Sequence, residues 1–163
     1  MKMHRYAGLA LLFASCHSLA QVPAQVPAQV SAQVPAQVPA ERAVKYRQSA
    51  YYLMGQHLSR MNLVLKGEMP YDKGAVDMNA EVIELMSRIV FDAFPPGSEG
   101  PSSKAKPEIW REMDKFKQLA RATQGEVEKL RAAAKTGDLA LLRARFNDVS
   151  KSCKVCHDQF KTK

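Results

Sequence analysis

Apolar side chains recur at steps of three and four residues through most of the chain after residue 43, which is the spacing of one face of an α-helix. Four such stripes follow one another. The first contains Val44, Arg47, Tyr51, Met54, Leu58, Met61 and Leu65. The second contains Val76, Ala80, Ile83, Met86, Val90 and Ala93. The third contains Ile109, Met113, Phe116, Ala120, Thr123, Val127, Leu130 and Ala134. The fourth contains Leu139, Leu142, Phe146, Val149, Cys153, Cys156 and Phe160.

Residues typical of helix ends separate these stripes. The first helix is expected to end near Gly67, and Asp72 is a candidate cap for the second, which stops at the Phe-Pro-Pro-Gly sequence of residues 94–97. The third closes at a basic stretch ending in Gly137, and Asp138 can cap the fourth. Each stripe therefore predicts one amphipathic helix with defined ends.

Four helices that each have one apolar face can bury those faces together around a shared core. The expected fold is all-α, an antiparallel up-down-up-down four-helix bundle. The connection from Pro95 to Pro107 is rich in Pro, Gly and Ser, and we expect it to be a loop that adds nothing to the core.

The first 40 residues predict export and a tether rather than a fold. Residues 1–20 combine Lys2 and Arg5 with a short apolar stretch and a small-residue close, which is the layout of a signal peptide cleaved after Ala20. Residues 21–40 are five copies of a Gln-Val-Pro-Ala unit, one with Ser in place of Pro, which predicts a disordered, extended tether. The folded domain is expected to span residues 41–163.

The expected location is the periplasm, with lipid attachment at Cys16 as a minor alternative. Removing Lys2 and Arg5 from the 24 basic residues leaves 22, against 16 acidic ones. This surplus is typical of a solvated helical surface, and no nucleic-acid motif accompanies it. The apolar stretch near the N-terminus is too short to cross a bilayer, so no transmembrane segment is expected in the mature chain.

The sequence Cys153-Lys-Val-Cys156-His157 carries the chemistry. Two thiols at this spacing can form thioethers with the two vinyl groups of one porphyrin, and the adjacent imidazole then becomes an axial iron ligand. A thiol–disulfide oxidoreductase, a structural zinc site and plain core cysteines are the competing interpretations. We predict one covalent haem c, enclosed by the bundle.

Only six residues follow His157, so a second axial ligand would have to come from an earlier helix. The candidates are His57, expected on the flank or surface of its helix, and the stripe methionines Met54, Met61, Met86 and Met113. Arg47 is a charge within an apolar stripe. It is expected either to pair with a haem propionate or to extend to solvent at the end of the bundle.

Several stretches resemble cytochrome c′, the helical-bundle class of c-type cytochromes. They are residues 45–50, 66–72, 93–98, 107–110 and 153–160. The resemblance covers about residues 43–162. It implies a periplasmic haem protein with a five-coordinate, high-spin iron, His157 on the proximal side, and commonly a homodimer built through the first two helices.

The resemblance also implies roles for individual side chains. Tyr51 and Phe91 correspond to residues over the distal face of the haem, where Tyr51 would act as a steric lid. Arg47 and Gln48 correspond to contacts at the haem edge and propionates. Lys161 stands near the proximal face, where many members have arginine, and lysine lacks the planar fork of that side chain.

Two functions follow as hypotheses. The first is electron transfer, reversible binding of NO and CO, or both, with an unidentified periplasmic redox partner. The second is a pure electron shuttle with no role in gas binding, whose basic surface meets acidic partners. Enzymatic turnover is not expected, because no acid–base pair is visible near the predicted haem.

Overall fold

The computed structural model describes residues 40–100 and 102–163. The predicted signal peptide, Cys16 and the tether up to residue 39 lie outside the described residues. The elements are α1 (Ala40–Lys66), α2 (Lys73–Val90), α3 (Glu108–Arg111), α4 (Met113–Thr136) and α5 (Leu139–Phe160).

The four long helices, α1, α2, α4 and α5, form the expected antiparallel bundle. Contacts run from α1 to α2, from α2 to α4 and from α4 to α5. The predicted caps are confirmed: the Asp72 carboxylate accepts a hydrogen bond from the Ala75 amide, and that of Asp138 from the amides of Ala140 and Leu141. Gly67 ends α1 at a φ of 79°, a conformation that favours glycine.

The third stripe does not form one continuous helix. The backbone breaks at Glu112, with φ −119° and ψ 43°, and leaves α3 as a separate turn. This break accompanies two contacts with the preceding loop: the Trp110 indole donates to the Pro95 carbonyl oxygen at 3.0 Å, and Ile109 packs into a cluster with Phe94. A stripe of apolar positions indicates which side chains are buried, but it does not show where the helix axis changes direction.

The 95–107 loop was expected to add nothing to the core, and that expectation is wrong. Ser98 is 1% exposed, and Ala105 packs against the same cluster as Ile109. The loop also pairs with the end of the chain. The amide of Lys106 donates to the carbonyl of Phe160 at 2.9 Å, and that of Thr162 donates to the carbonyl of Lys104 at 2.9 Å.

Arg47 holds this loop against α1. Arg47 is 2% exposed. Its Nη1 donates to the Ala93 carbonyl, just before the loop, at 3.3 Å and to the Ser98 hydroxyl at 2.7 Å. Its Nη2 donates to the Ser98 carbonyl at 2.5 Å and to the Ser103 hydroxyl at 2.9 Å. The group also lies 4.8 Å from the centre of the Phe94 ring, in cation–π geometry. A buried charge is thus satisfied by neutral oxygens of the loop and of the residue Ala93 that precedes it.

A second arginine joins the middle helices. Arg131 on α4 pairs with Asp77, with Glu81 at 3.3 Å and with Glu84 at 3.8 Å, all three on α2. Its side chain is 13% exposed, so these ion pairs are less screened than those on an open surface. The pairing aligns α2 and α4, whose apolar faces form two sides of the core.

We expect Arg47→Lys to lower the free energy of unfolding by about 3 kcal/mol, because lysine keeps the charge but cannot make the forked hydrogen bonds to the loop. Denaturant titration of the purified protein measures the loss, and thermolysin cleavage within residues 96–104 should become faster. Arg60→Lys, on an exposed face of the same helix, is the control, with a change below about 0.5 kcal/mol. Equal losses in the two variants would show that Arg47 does not anchor the loop.

Candidate functional site

The bundle encloses a cavity of about 670 Å³. Its walls come from α1, α2, α4, α5 and the 95–107 loop. The lining residues important here are Arg47, Gln48, Tyr51, Met54, Phe91, Phe116, Thr123, Cys153, Cys156, His157 and Lys161. Most of the wall is apolar, with polar groups at the loop and at the end of α5. That volume and this mixture of many apolar groups and few polar ones are typical of a site for a small molecule or cofactor.

Helix α5 places three reactive groups on one wall of the cavity. Cys153 and Cys156 are three residues apart and share a helical face, and His157 follows directly. Cys153 packs against the core cluster that contains Leu142, whereas Cys156 belongs to the cluster of Phe160 at the end of the helix. The two sulfurs therefore join the two apolar clusters along the length of the cavity.

Both thiols are in surroundings that favour the protonated form. Burial raises the pKa of Cys153, and burial followed by the neighbouring Cys153 raises the pKa of Cys156 to about 11. Cysteines that catalyse thiol–disulfide exchange have lowered pKa values, because the thiolate is the nucleophile. The environment of this pair is the opposite of that required for an oxidoreductase of the thioredoxin type.

The imidazole of His157 is held in a setting that favours its neutral form. Burial lowers the pKa of His157, the positive charge of Lys161 acts in the same direction, and Asp158 opposes both. A neutral imidazole has a free lone pair, which is the form that binds a metal ion. At the end of α5 the Lys161 amide donates to the carbonyl oxygen of His157 at 3.1 Å, which closes the last turn.

Aromatic rings from α1, α4 and the end of α2 form another wall. The rings of Tyr51 and Phe91 meet edge to face, with centroids 6.3 Å apart, and Phe91 meets Phe116 in the same way at 5.9 Å. Tyr51 is partly buried, and desolvation of its phenol is the main cause of the rise in the pKa of that group. The phenol is therefore neutral at ordinary pH.

The structure brings all eight sequence-predicted site residues to this cavity. Arg47, Gln48, Tyr51, Phe91, Cys153, Cys156, His157 and Lys161 are among its lining residues. Arg47 uses both terminal nitrogens on the loop, as described above, so its contact with a haem propionate stays a prediction. Gln48 is likewise engaged, because its side-chain amide donates to the Ser102 carbonyl at 2.7 Å.

The candidates for a second axial ligand differ in whether they line the cavity. Met54 lines the cavity, while Met61, Met86 and Met113 are not among the lining residues. The sequence predicted that His57 lies on the flank or surface of its helix, and that prediction is wrong. It is 9% exposed, and its Nδ1 lies 2.7 Å from the amide oxygen of Asn79 on α2.

Other cavity residues were not recognised from the sequence. They are Tyr52, Gly55, Leu58, Ile83, Ser87, Phe94, Ile109, Phe116, Thr123, Val127, Val149 and Phe160, with Ser102, Ser103 and Ala105 in the loop. Several belong to the apolar stripes, but a stripe does not distinguish a side chain that packs against another helix from one that lines a cavity. The loop residues had no sequence signal.

The residues present fit a covalently bound porphyrin. The cavity volume, its apolar aromatic walls, two thiols on one helical face and an adjacent imidazole supply what a haem c requires for packing, attachment and iron ligation. When bound, the group supplies a redox-active iron. The thiols of Cys153 and Cys156 would attach it, and the imidazole of His157 would ligate its iron.

Comparison with known proteins gives one consistent result. The family model for cytochrome c′ matches residues 42–161. A cytochrome c′ of Alcaligenes xylosoxydans xylosoxydans is 50% identical over 123 residues, which cover 76% of this chain and 95% of that protein. The cytochrome c′ of Rubrivivax gelatinosus is 37% identical over 122 residues, covering 74% of this chain and 95% of that protein.

Solved structures agree with the sequence relatives. A ferrous arginine-to-lysine variant of the cytochrome c prime from Alcaligenes xylosoxidans, with bound NO, superimposes with a TM-score of 0.72 at 50% identity. The match covers 76% of this chain and 96% of that one. The four-helix fold is thus shared with that structure, and the chain belongs to the cytochrome c′ family of haem c proteins.

Proposed function

We propose that this protein is a periplasmic haem c protein whose iron is five-coordinate and high-spin, and that it transfers electrons, binds NO and CO reversibly, or does both. In this proposal Cys153 and Cys156 form the thioethers and His157 is the axial ligand. Tyr51 and Phe91 cover the distal face. The observation that carries it is the cavity with His157 on α5 and a wall of neutral aromatic rings from α1, α4 and the end of α2.

The aromatic wall supports selectivity for small uncharged ligands. A neutral phenol is a poor iron ligand, and rings packed edge to face leave little room for water. The NO complex of the Alcaligenes xylosoxidans relative supports gas binding in this fold. The haem supplies one-electron chemistry between Fe(II) and Fe(III). The protein is proposed to be a carrier or ligand-binding protein rather than an enzyme.

The proposed location has its own support. The first 20 residues have the layout of a cleaved signal peptide, and covalent haem attachment through a Cys-X-X-Cys-His motif is typical of exported cytochromes. Among residues 40–100 and 102–163, no helix combines the length and the apolar character needed to cross a membrane.

Optical spectra of the ferrous protein test the coordination state. We expect a high-spin spectrum without added ligand and clear shifts on adding CO or NO. Met54→Leu is the matched variant, because Met54 is a ligand candidate that lines the cavity. A low-spin, six-coordinate spectrum that reverts to high spin in Met54→Leu would identify that methionine as a ligand and reject the open-site proposal.

Tyr51→Ala should speed CO binding to the ferrous protein by about tenfold or more, since it removes the ring that covers the distal side. Flash photolysis or stopped-flow mixing measures the association rate constant. Tyr71→Ala, at an exposed tyrosine that is not among the lining residues of the cavity, is the control, with an expected change below twofold. If Tyr51→Ala leaves the association rate constant unchanged, Tyr51 does not restrict the access of CO to the iron.

We also propose a homodimer through α1 and α2. On α1, Tyr46 and Leu53 are seven residues apart and are 49% and 41% exposed. On α2, Met78 and Leu85 have the same spacing and are 63% and 54% exposed. Two turns of helix separate each pair, so each pair lies on one face. Exposed apolar side chains aligned on two packed helices are typical of an interface.

The dimer proposal predicts that Met78→Glu combined with Leu85→Glu gives a monomer, because two buried carboxylates would oppose association. Sedimentation equilibrium at several protein concentrations measures the change. Leu139→Glu, at an exposed apolar residue on the first turn of α5, is the control and should leave the dimer intact. A wild-type protein that is monomeric at all concentrations would exclude this interface.

A further inference from the structure

The end of the chain and the 95–107 loop bring a group of lysines to the rim of the cavity. Ala105 and Lys161 form an antiparallel bridge, which places Lys104 and Lys106 beside Lys161 and Lys163. Lys104 and Lys161 line the main cavity, and with Lys163 they also line an adjoining hollow of about 220 Å³ that includes His157. We call Lys104, Lys106, Lys161 and Lys163 the rim lysines.

The rim lysines are largely free of neutralising partners. In the parts of the chain that the structure describes, no ion pair involves Lys104, Lys161 or Lys163, and all three are exposed. The carboxylate in the adjoining hollow is that of Asp158. Its oxygens accept from Lys154 Nζ at 3.0 and 2.7 Å, so Lys154 already offsets its charge. The rim therefore carries a net positive charge next to His157.

Charge is what this edge of the cavity offers to a partner. Complementary charges raise the rate of encounter in transient complexes, whose interfaces have a polar rim. Lys104 and Lys161 line the same cavity as Cys153 and Cys156, the predicted haem attachments. A partner held by the rim lysines would therefore lie next to the haem edge.

We propose that the rim lysines form the docking surface for a small redox protein with an acidic face, which exchanges one electron with the haem at this edge. The proposal rests on the proposed function, since it requires a haem in the cavity. A folded partner fits better than a membrane. Segments that bind a membrane surface typically carry four to eight clustered basic residues on an amphipathic helix, together with large apolar or aromatic side chains that insert into the lipid. The rim lysines instead stand on two segments joined by a main-chain bridge.

A flavodoxin, a small acidic flavoprotein, is a suitable probe. One electron passes from its anionic FMN hydroquinone, which becomes the neutral semiquinone, to Fe(III), which becomes Fe(II). The test compares Lys104→Gln/Lys161→Gln with Lys73→Gln/Lys135→Gln. Both double variants lose two charges, but Lys73 begins α2 and Lys135 ends α4, at the opposite end of the bundle.

Stopped-flow mixing at low ionic strength should show the rate constant falling about tenfold or more in the rim variant and less than twofold in the control. The difference should disappear at high salt. Reduction potentials of all variants are measured, so that a change in driving force is separated from a change in docking. Equal rate constants in the two double variants would show that net charge alone matters and would overturn the proposal.

Carbodiimide cross-linking of the wild-type protein to the flavodoxin gives a readout independent of electron transfer and of variant folding. Mass spectrometry should find the cross-links at the rim lysines and not at Lys73 or Lys135. Cross-links spread over both ends of the bundle would contradict the proposed surface.

Two further outcomes are informative. Rim-dependent binding to phosphatidylglycerol vesicles, with unchanged flavodoxin kinetics, would assign the surface to a membrane instead and overturn the proposal. Failure of the proposed function is distinguishable, because dithionite would then produce no ferrous haem spectrum. A normal haem spectrum with no effect of the rim substitutions would reject the docking surface alone.

Discussion

A cavity of about 670 Å³ lies where the four long helices would otherwise pack against one another, and the rest of the structure is arranged around it. A bundle that leaves so large an apolar space unfilled gives up packing contacts between its helices, which costs stability. The haem of this family is therefore a core element as well as a reactive group. The cavity that would hold it has the thiols and imidazole of α5 on one wall and aromatic rings on another.

Much of this arrangement could be predicted from the sequence because it depends on local patterns. Apolar spacing located the four long helices, the Asp72 and Asp138 caps marked two helix starts, and the Cys153–His157 motif indicated haem c. These signals arise within one or two turns of a helix. The expected bundle then followed from the need of each apolar face for a partner.

What the sequence did not reveal depends on contacts between distant residues. Arg47 was recognised as a charge requiring a partner, but its acceptors in the loop lie 51 to 56 residues away, in a segment with no apolar pattern. The burial of His57 depends on Asn79, 22 residues further on. The break at Glu112 likewise accompanies the Trp110–Pro95 contact rather than any helix-breaking residue. The spacing of apolar residues predicts which side chains of one helix are buried. It does not predict which polar groups on different elements form hydrogen bonds.

The main-chain bonds between residues 104–106 and 160–162 have a consequence for how the family can vary. They set the axial position of α5 relative to the loop, and with it the depth at which His157 enters the cavity. Because backbone atoms make these bonds, most replacements of side chains there leave that depth intact. Insertion or deletion of one residue between His157 and Thr162 would instead shift the pairing and move His157 along the cavity. Residues 104–106 and 160–162 should therefore accept many side-chain substitutions but not a change in the length of the chain between them.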